Sequence, residues 1–330
     1  MTYCDYLVGT SLRKGKREVV TKDQEPSIVQ MVRAQFLIGI IIPLVIGTLA
    51  AVIEFGTIHL AGFLLVLVVG LGLHISTDVY NDIYDTKQGA DANIHETRNY
   101  FSGGSGILIA KPHLIKRMFL LARLGLIISF LGMVGLFFYI NETLWVYAFA
   151  IYLLSAFLSK YYTAAPVKLG YRGVGEIFIW LSFGPLALAL AALSQNMTPT
   201  VLFYSIMPIT GWTTITVQWS GQLVDLPSDI VAGKRGMVAR IGSRNATYGY
   251  MIIQSLLILN TVIVALFMVR HGWLVLFSLI PFLILLPKIW RLLRCYHAET
   301  EKLVSLTKLN STLYGSFSLL FILGLGLTLV

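Results

Sequence analysis

Charge is what this chain has least of. Of its 330 residues 12% are Asp, Glu, Lys or Arg and 56% are hydrophobic, where a soluble domain carries about 25% charge. That shortage excludes an ordinary water-soluble domain. Cysteine is almost absent, with only Cys4 and Cys295 and no CxxC pair, and His59, His74, His113 and His297 show no metal-ligand spacing. These counts argue against a zinc site. Both cysteines fall in segments assigned below to the cytosol, where disulfides are uncommon. No P-loop, HExxH or nucleophile-elbow pattern occurs. The first 30 residues are polar and charged and lack the apolar core of a signal peptide.

What the chain has is hydrocarbon-length apolar sequence. A spanning helix needs about 20 apolar residues, and nine runs qualify: 35–53, 60–80, 118–140, 143–160, 176–194, 200–222, 248–269, 273–290 and 311–330. Lysine and arginine sort to alternate connections. Of the 25 basic residues, all but Arg270 fall on the side that carries the N-terminal tail. By the positive-inside rule that side is the cytosol. The expected fold is an all-α integral membrane protein of nine transmembrane helices, N-terminus in and C-terminus out. Residues 1–30 are expected to form a polar cytosolic tail and 31–330 the nine-helix transmembrane domain. The net charge of +9 follows from this bias and calls for no nucleic acid. No obligate protein partner is evident, and the surrounding partner is membrane lipid.

Outer connections are short, while two cytosolic ones, 81–117 and 223–247, are long. Long connections are commonly functional, and these carry the acids. Asn81, Asp82, Asp85 and Asp91 stand in NDIYDTKQGAD, and Asp225 and Asp229 in DLPSDIVAGKR. Ionisable residues beside hydrocarbon are functional candidates. Asp82 and Asp85 are spaced i,i+3 and are expected on one helix face, bordered by Asn81, with Asp78 a turn earlier. Acids at a helix C-terminus oppose the macrodipole, so a cation is expected to compensate them. Asp225 and Asp229 are spaced i,i+4, with Pro227 expected to distort the turn. Lys234, Arg235 and Arg240 follow closely. Carboxylates suited to magnesium beside Lys and Arg suited to phosphate make a combined site for a metal-bound diphosphate. A transporter is disfavoured, because its charges would lie near the bilayer midplane, whereas here only Asp78 and Glu176 intrude on the spans.

At these residues the chain resembles the UbiA superfamily of intramembrane prenyltransferases. NDIYDTKQGAD is similar to the first motif of its menaquinone-pathway branch, and DLPSDIVAGKRGMVARIG to the second. KYYTAAPVKLGYRGVGEIFIWLSFGP at 160–185 resembles a third segment, and Arg33 an arginine before the first span. Gly236 and Ala156 stand where the branch has threonine and tyrosine. The resemblance implies two magnesium ions, one held by Asn81, Asp82 and Asp85 with Asp91 nearby, the other by Asp225 and Asp229. Arg33, Lys160, Lys234 and Arg235 would bind diphosphate oxygens. Asp82 or Asp91 would serve as base or orient the acceptor, and Tyr84, Tyr161, Tyr162 and Tyr171 would face an allylic cation. The implied reaction is magnesium-dependent prenyl transfer from an isoprenyl diphosphate to an aromatic acceptor such as dihydroxynaphthoate. The alternative on the same scaffold is a terpene cyclase that needs no acceptor.

Overall fold

The computed structural model describes residues 25–91, 104–268, 271–300 and 302–329. Among them all regular structure is helical. Nine long helices follow in order: α1 (Ile38–Phe55), α2 (Leu60–Gln88), α3 (Ile115–Phe137), α4 (Glu142–Tyr161), α5 (Gly175–Ser194), α6 (Val201–Val231), α7 (Met237–Phe267), α8 (Ile280–Tyr296) and α9 (Val304–Leu327). In α5 the ladder loosens into a π stretch at Ser182–Leu186, around Pro185. A 3-10 segment, Gly272–Leu279, leads into α8.

Eight of these helices are long and apolar enough to cross a membrane, and the chain is an integral membrane protein. The exception is α6, which was expected to span at 200–222. It is fully helical, but Thr210, Thr213, Thr214, Thr216, Gln218, Ser220 and Gln222 dilute its apolar character. The reason is its position. α6 packs on α1, α5, α7 and α9, so its polar side chains meet protein rather than lipid. Several satisfy themselves along the helix: Thr213 and Thr214 each donate to the Thr210 carbonyl at 2.8 Å, and Thr216 donates to Thr213 at 2.7 Å. Lipid-ready residues such as Leu131, Val146, Leu266 and Leu283 stand exposed on the outer helices instead.

Helices run past the apolar segments that announced them. α2 continues through the first acidic motif to Gln88, where Gly89, at φ 80°, ends it. At 29 residues it is about 43 Å long, more than the ~30 Å of hydrocarbon. α6 carries Asp225, Pro227 and Asp229 within a continuous helix, so Pro227 does not end it. Asn81, Asp82, Asp85, Asp225 and Asp229 are therefore held on helices, while Asp91 follows the end of α2. The connection between α6 and α7 shrinks to five residues, 232–236. In α7, Gly242 has φ 78° and ψ 159° and breaks the helix direction.

α2 and α3 approach each other closely. A methyl group on Gly72 would stand 2.5 Å from the Gly125 carbonyl oxygen, and one on Gly125 2.7 Å from that of Gly72. Such close backbone contact through small residues is how helices associate where no hydrophobic effect drives them. Cys295 stands near the end of α8. Cys4 lies outside the described residues.

Candidate active site

A cavity of about 430 Å³ opens among α1, α2, α5, α6 and α9, a size typical of small-ligand sites. Both acidic motifs line it, through Asn81, Asp85 and Asp91 on one side and Asp225 and Asp229 on the other. Between them sits Lys234. Its Nζ donates to Asp85 Oδ2 at 3.0 Å and lies 3.7 Å from Asp229 Oδ1. The side chain is 19% exposed. Burial disfavours its ammonium, but the Asp229 and Asp85 carboxylates outweigh that and hold its pKa well above the usual lysine range. Lys234 is thus a permanent cation joining two motifs 149 residues apart.

Asp85 is the most heavily used acid. Tyr171 Oη donates to its Oδ1 at 2.7 Å, and Asn81 Nδ2 to its Oδ2 at 3.2 Å. Burial first, then the Asp85 charge, raises the Tyr171 pKa, which keeps the phenol a donor. Tyr171 also lies under Lys234, whose Nζ is 5.6 Å from the ring centre. Arg33 closes the cavity from the N-terminal side, 4.6 Å above the Phe36 ring. Its φ of 52° is left-handed, which costs a non-glycine residue roughly 1–2 kcal/mol. Such strain is retained where position matters.

Among the described residues no three His, Cys, Asp or Glu side chains converge as a ready-made metal cage. Magnesium does not require one. It keeps several waters and takes one or two carboxylates plus substrate phosphates. Hard oxygen donors face each other across a point where a cation already sits, so the residues fit that metal.

Residues 40–312 match the UbiA prenyltransferase family. The chain belongs to that family. Among its relatives is the 2-carboxy-1,4-naphthoquinone phytyltransferase of Synechocystis, 24% identical over 62% of this chain and 62% of that protein. A UbiA prenyltransferase domain-containing protein 1 of Dictyostelium discoideum is 30% identical over 60% of this chain and 57% of its own length. The 1,4-dihydroxy-2-naphthoate octaprenyltransferase of Bacillus subtilis is 23% identical over 66% of each. The matches to the first two span about three fifths of those relatives. The fold is that of a UbiA homolog from Archaeoglobus fulgidus bound to DMAPP and Mg2+, with TM-score 0.64 and 17% identity over 91% of this chain and 98% of that one.

Within this UbiA fold, the expected site residues divide. Asn81, Asp85, Asp91, Asp225, Asp229, Arg33 and Lys234 come together. Asp82, expected beside Asp85, does not line the cavity. Asn81 and Asp85 share one face, and a helix turns about 100° per residue, which rotates Asp82 toward Ser105. The Ser105 backbone N donates to its Oδ1 at 2.6 Å and the Ser105 hydroxyl to its Oδ2. Asp82 anchors the segment returning from the first long connection, whose residues 92–103 lie outside the described ones. Asp91 does similar work while facing the cavity, accepting from Gly104 N at 3.2 Å. Lys160 lies over the Tyr161 ring at 5.1 Å, and Arg235 is exposed; neither lines the cavity. Of the four tyrosines only Tyr162 does so. Tyr84 packs on Tyr80 and Phe119, and Tyr161 on Phe157.

Two residues support the site from outside the cavity lining. Glu176, 5% exposed, accepts from Gln222 Nε2 at 2.8 Å and from Met237 N at 3.0 Å. It thereby ties α5 to α6 and to the start of α7, and so fixes the short connection that presents Lys234. Arg240 donates to the Arg235 and Arg172 carbonyls at 3.0 and 2.9 Å, locking that connection to the one that carries Tyr171. The only signal for these was an isolated intramembrane glutamate and one extra arginine.

Gly104 offers a local test. A methyl group there would stand 2.0 Å from Asp91 Oδ2. Gly104→Ala is expected to displace the Asp91 carboxylate and to cost about 1–3 kcal/mol of stability. Thermal unfolding in detergent with and without magnesium checks it. An unchanged transition would mean that Asp91 moves aside freely.

Proposed function

We propose that this protein is a magnesium-dependent prenyltransferase that moves an isoprenyl group from its diphosphate to an aromatic acceptor of the dihydroxynaphthoate kind. The observation that carries the reading is Lys234 held between Asp85 and Asp229 at a cavity that both acidic motifs line. The names of the Synechocystis and Bacillus relatives support a naphthoquinone-type acceptor. We further propose nine membrane crossings, with α6 as the ninth, and the acidic end of the cavity on the cytosolic side, where the basic connections lie.

Asn81 and Asp85 from α2, and Asp225 and Asp229 from α6, would hold the magnesium ions. Magnesium held by these residues would supply neutralisation of the charge that grows on the departing diphosphate. Arg33 and Lys234 contribute fixed positive charge to the same oxygens. Asp91 holds Gly104 beside the cavity. Ile38, Ile42, Phe183 and Val217 line the deeper cavity and keep water from the allylic cation.

The test is mass spectrometry of products from purified protein with magnesium and geranylgeranyl diphosphate, with and without dihydroxynaphthoate. A prenylated naphthoate formed only with the acceptor is expected. A terpene formed without acceptor would make the protein a cyclase and the lower cavity a mould for its cation.

A further inference from the structure

Deeper in the cavity than the acids bridged by Lys234, α2 presents a second ionisable pair. His74 Nε2 lies 3.3 Å from Asp78 Oδ2, and both residues line the cavity. His74 is 8% exposed, and its Nδ1 has no hydrogen-bond partner among the described residues. The pair joins no two elements, because both members sit on one helix. An i,i+4 pair adds only about 0.2–0.5 kcal/mol to a helix, too little to offset charged groups embedded in a membrane protein. Packing alone therefore does not account for it.

Its depth is informative. At 1.5 Å per residue, Asp78 lies about 4.5 Å below Asn81, and His74 about 6 Å lower still. A diphosphate held at the acidic end would place its first prenyl carbons at that level. The wall there is aromatic: Phe183 meets the His74 ring edge-on, with centroids 5.3 Å apart. Phe183 belongs to the π stretch of α5. On the other side, α1 comes close through Gly39, where a methyl group would be 3.4 Å from His74 Cε1.

We infer that His74, Asp78 and Phe183 form the acceptor's subsite, which binds a hydroxyaromatic ring and receives its hydroxyl proton. The inference rests on the prenyltransferase reading above. The C–O bond of the prenyl diphosphate breaks, with its electron pair leaving on the diphosphate. A ring carbon activated by the hydroxyl forms the new C–C bond. The hydroxyl proton passes to the Asp78 carboxylate, steadied by His74. The resulting dienone regains aromaticity by moving its ring proton to oxygen, so one proton in all leaves through Asp78. Phe183 stacks on the ring while this happens.

The experiment separates ionisation from transfer. Asp78→Asn and His74→Ala are assayed with magnesium, geranylgeranyl diphosphate and dihydroxynaphthoate. Three quantities are read: acceptor-dependent product, slow acceptor-independent release of diphosphate, and the KM of each substrate. Asp78→Asn is expected to lower transfer about 100-fold, the contribution of a positioned proton acceptor, with diphosphate release and its KM within about twofold of wild type. His74→Ala is expected to raise the acceptor KM about tenfold. A naphthoate with the activating hydroxyl methylated should lower wild-type transfer to the Asp78→Asn level and leave the variant indifferent. Wild-type transfer in both variants overturns the inference. So does an equal fall of both half-reactions, which would assign the pair to the diphosphate end or to the fold. Wild-type protein that releases diphosphate but prenylates no hydroxyaromatic overturns the prenyltransferase reading itself, and this subsite with it.

Discussion

Asp85→Ala and Asp229→Ala are each expected to lower magnesium-dependent turnover by three orders of magnitude or more, while the protein still inserts and purifies as a single species. Removing one preorganised electrostatic contact to developing charge commonly costs about 10²–10³ in rate. Asp85 is more than one contact. It receives Lys234, Tyr171 and Asn81, so its loss releases three groups and deletes a proposed metal ligand. Asp229 is the facing acid, near Lys234 from the other side. Asp85→Asn sharpens the test. The amide can still accept from Tyr171 but carries no charge, so it should be as inactive as alanine if charge is what matters. Diphosphate release measured across a magnesium titration reads all three variants. Full activity in either alanine variant would remove the proposed metal site.

The second large effect concerns Lys234→Met, which keeps the length and loses the charge. Two carboxylates would then face one another with no cation between them. Leaving a buried ion pair half-broken costs about 3–5 kcal/mol, and the partial exposure of Lys234 places the expectation at or below the lower end of that range. The melting temperature of the magnesium-free variant should fall by several degrees. Added magnesium should raise it more than it raises that of the wild type, because the metal can take the position the ammonium left. Turnover should drop about 10²–10³-fold, since the fixed charge on the leaving group is gone. A variant whose melting temperature ignores magnesium would mean that the two motifs do not share a cation.

Much of this arrangement was legible in the sequence. Both acidic motifs, Arg33 and Lys234 stand out because carboxylates and basic residues are conspicuous beside long apolar runs, and the cavity gathers them. Hidden were facts of rotation and neighbourhood. Asp82 and Asp85 look equivalent at i,i+3, yet only contact with Ser105 tells which way Asp82 turns. Lys160 stands in a motif-like position but lies over Tyr161. Tyr171 is one of 16 tyrosines, and nothing local marks it as the donor to Asp85. α6 is the clearest case at the level of fold. Its length was readable, but its polar residues make sense only when it is surrounded by helices. The helix ends were missed for a related reason: hydropathy stops where lipid stops, whereas backbone hydrogen bonding continues.

The lysine bridge between Asp85 and Asp229 has a consequence for the order in which ligands arrive. A tethered ammonium is an intramolecular competitor whose local concentration no free monovalent ion matches. Magnesium at the proposed site would have to displace that ammonium from Asp85 and Asp229. A diphosphate changes that balance, because its oxygens give the displaced ammonium a new partner while the metal takes the acids. On the proposed function, metal and diphosphate are expected to bind with positive coupling, each raising the affinity of the other by the same factor, as thermodynamic linkage requires. One ammonium faces two carboxylates at this point, so the site is left with excess negative charge that a diphosphate arriving without metal would meet.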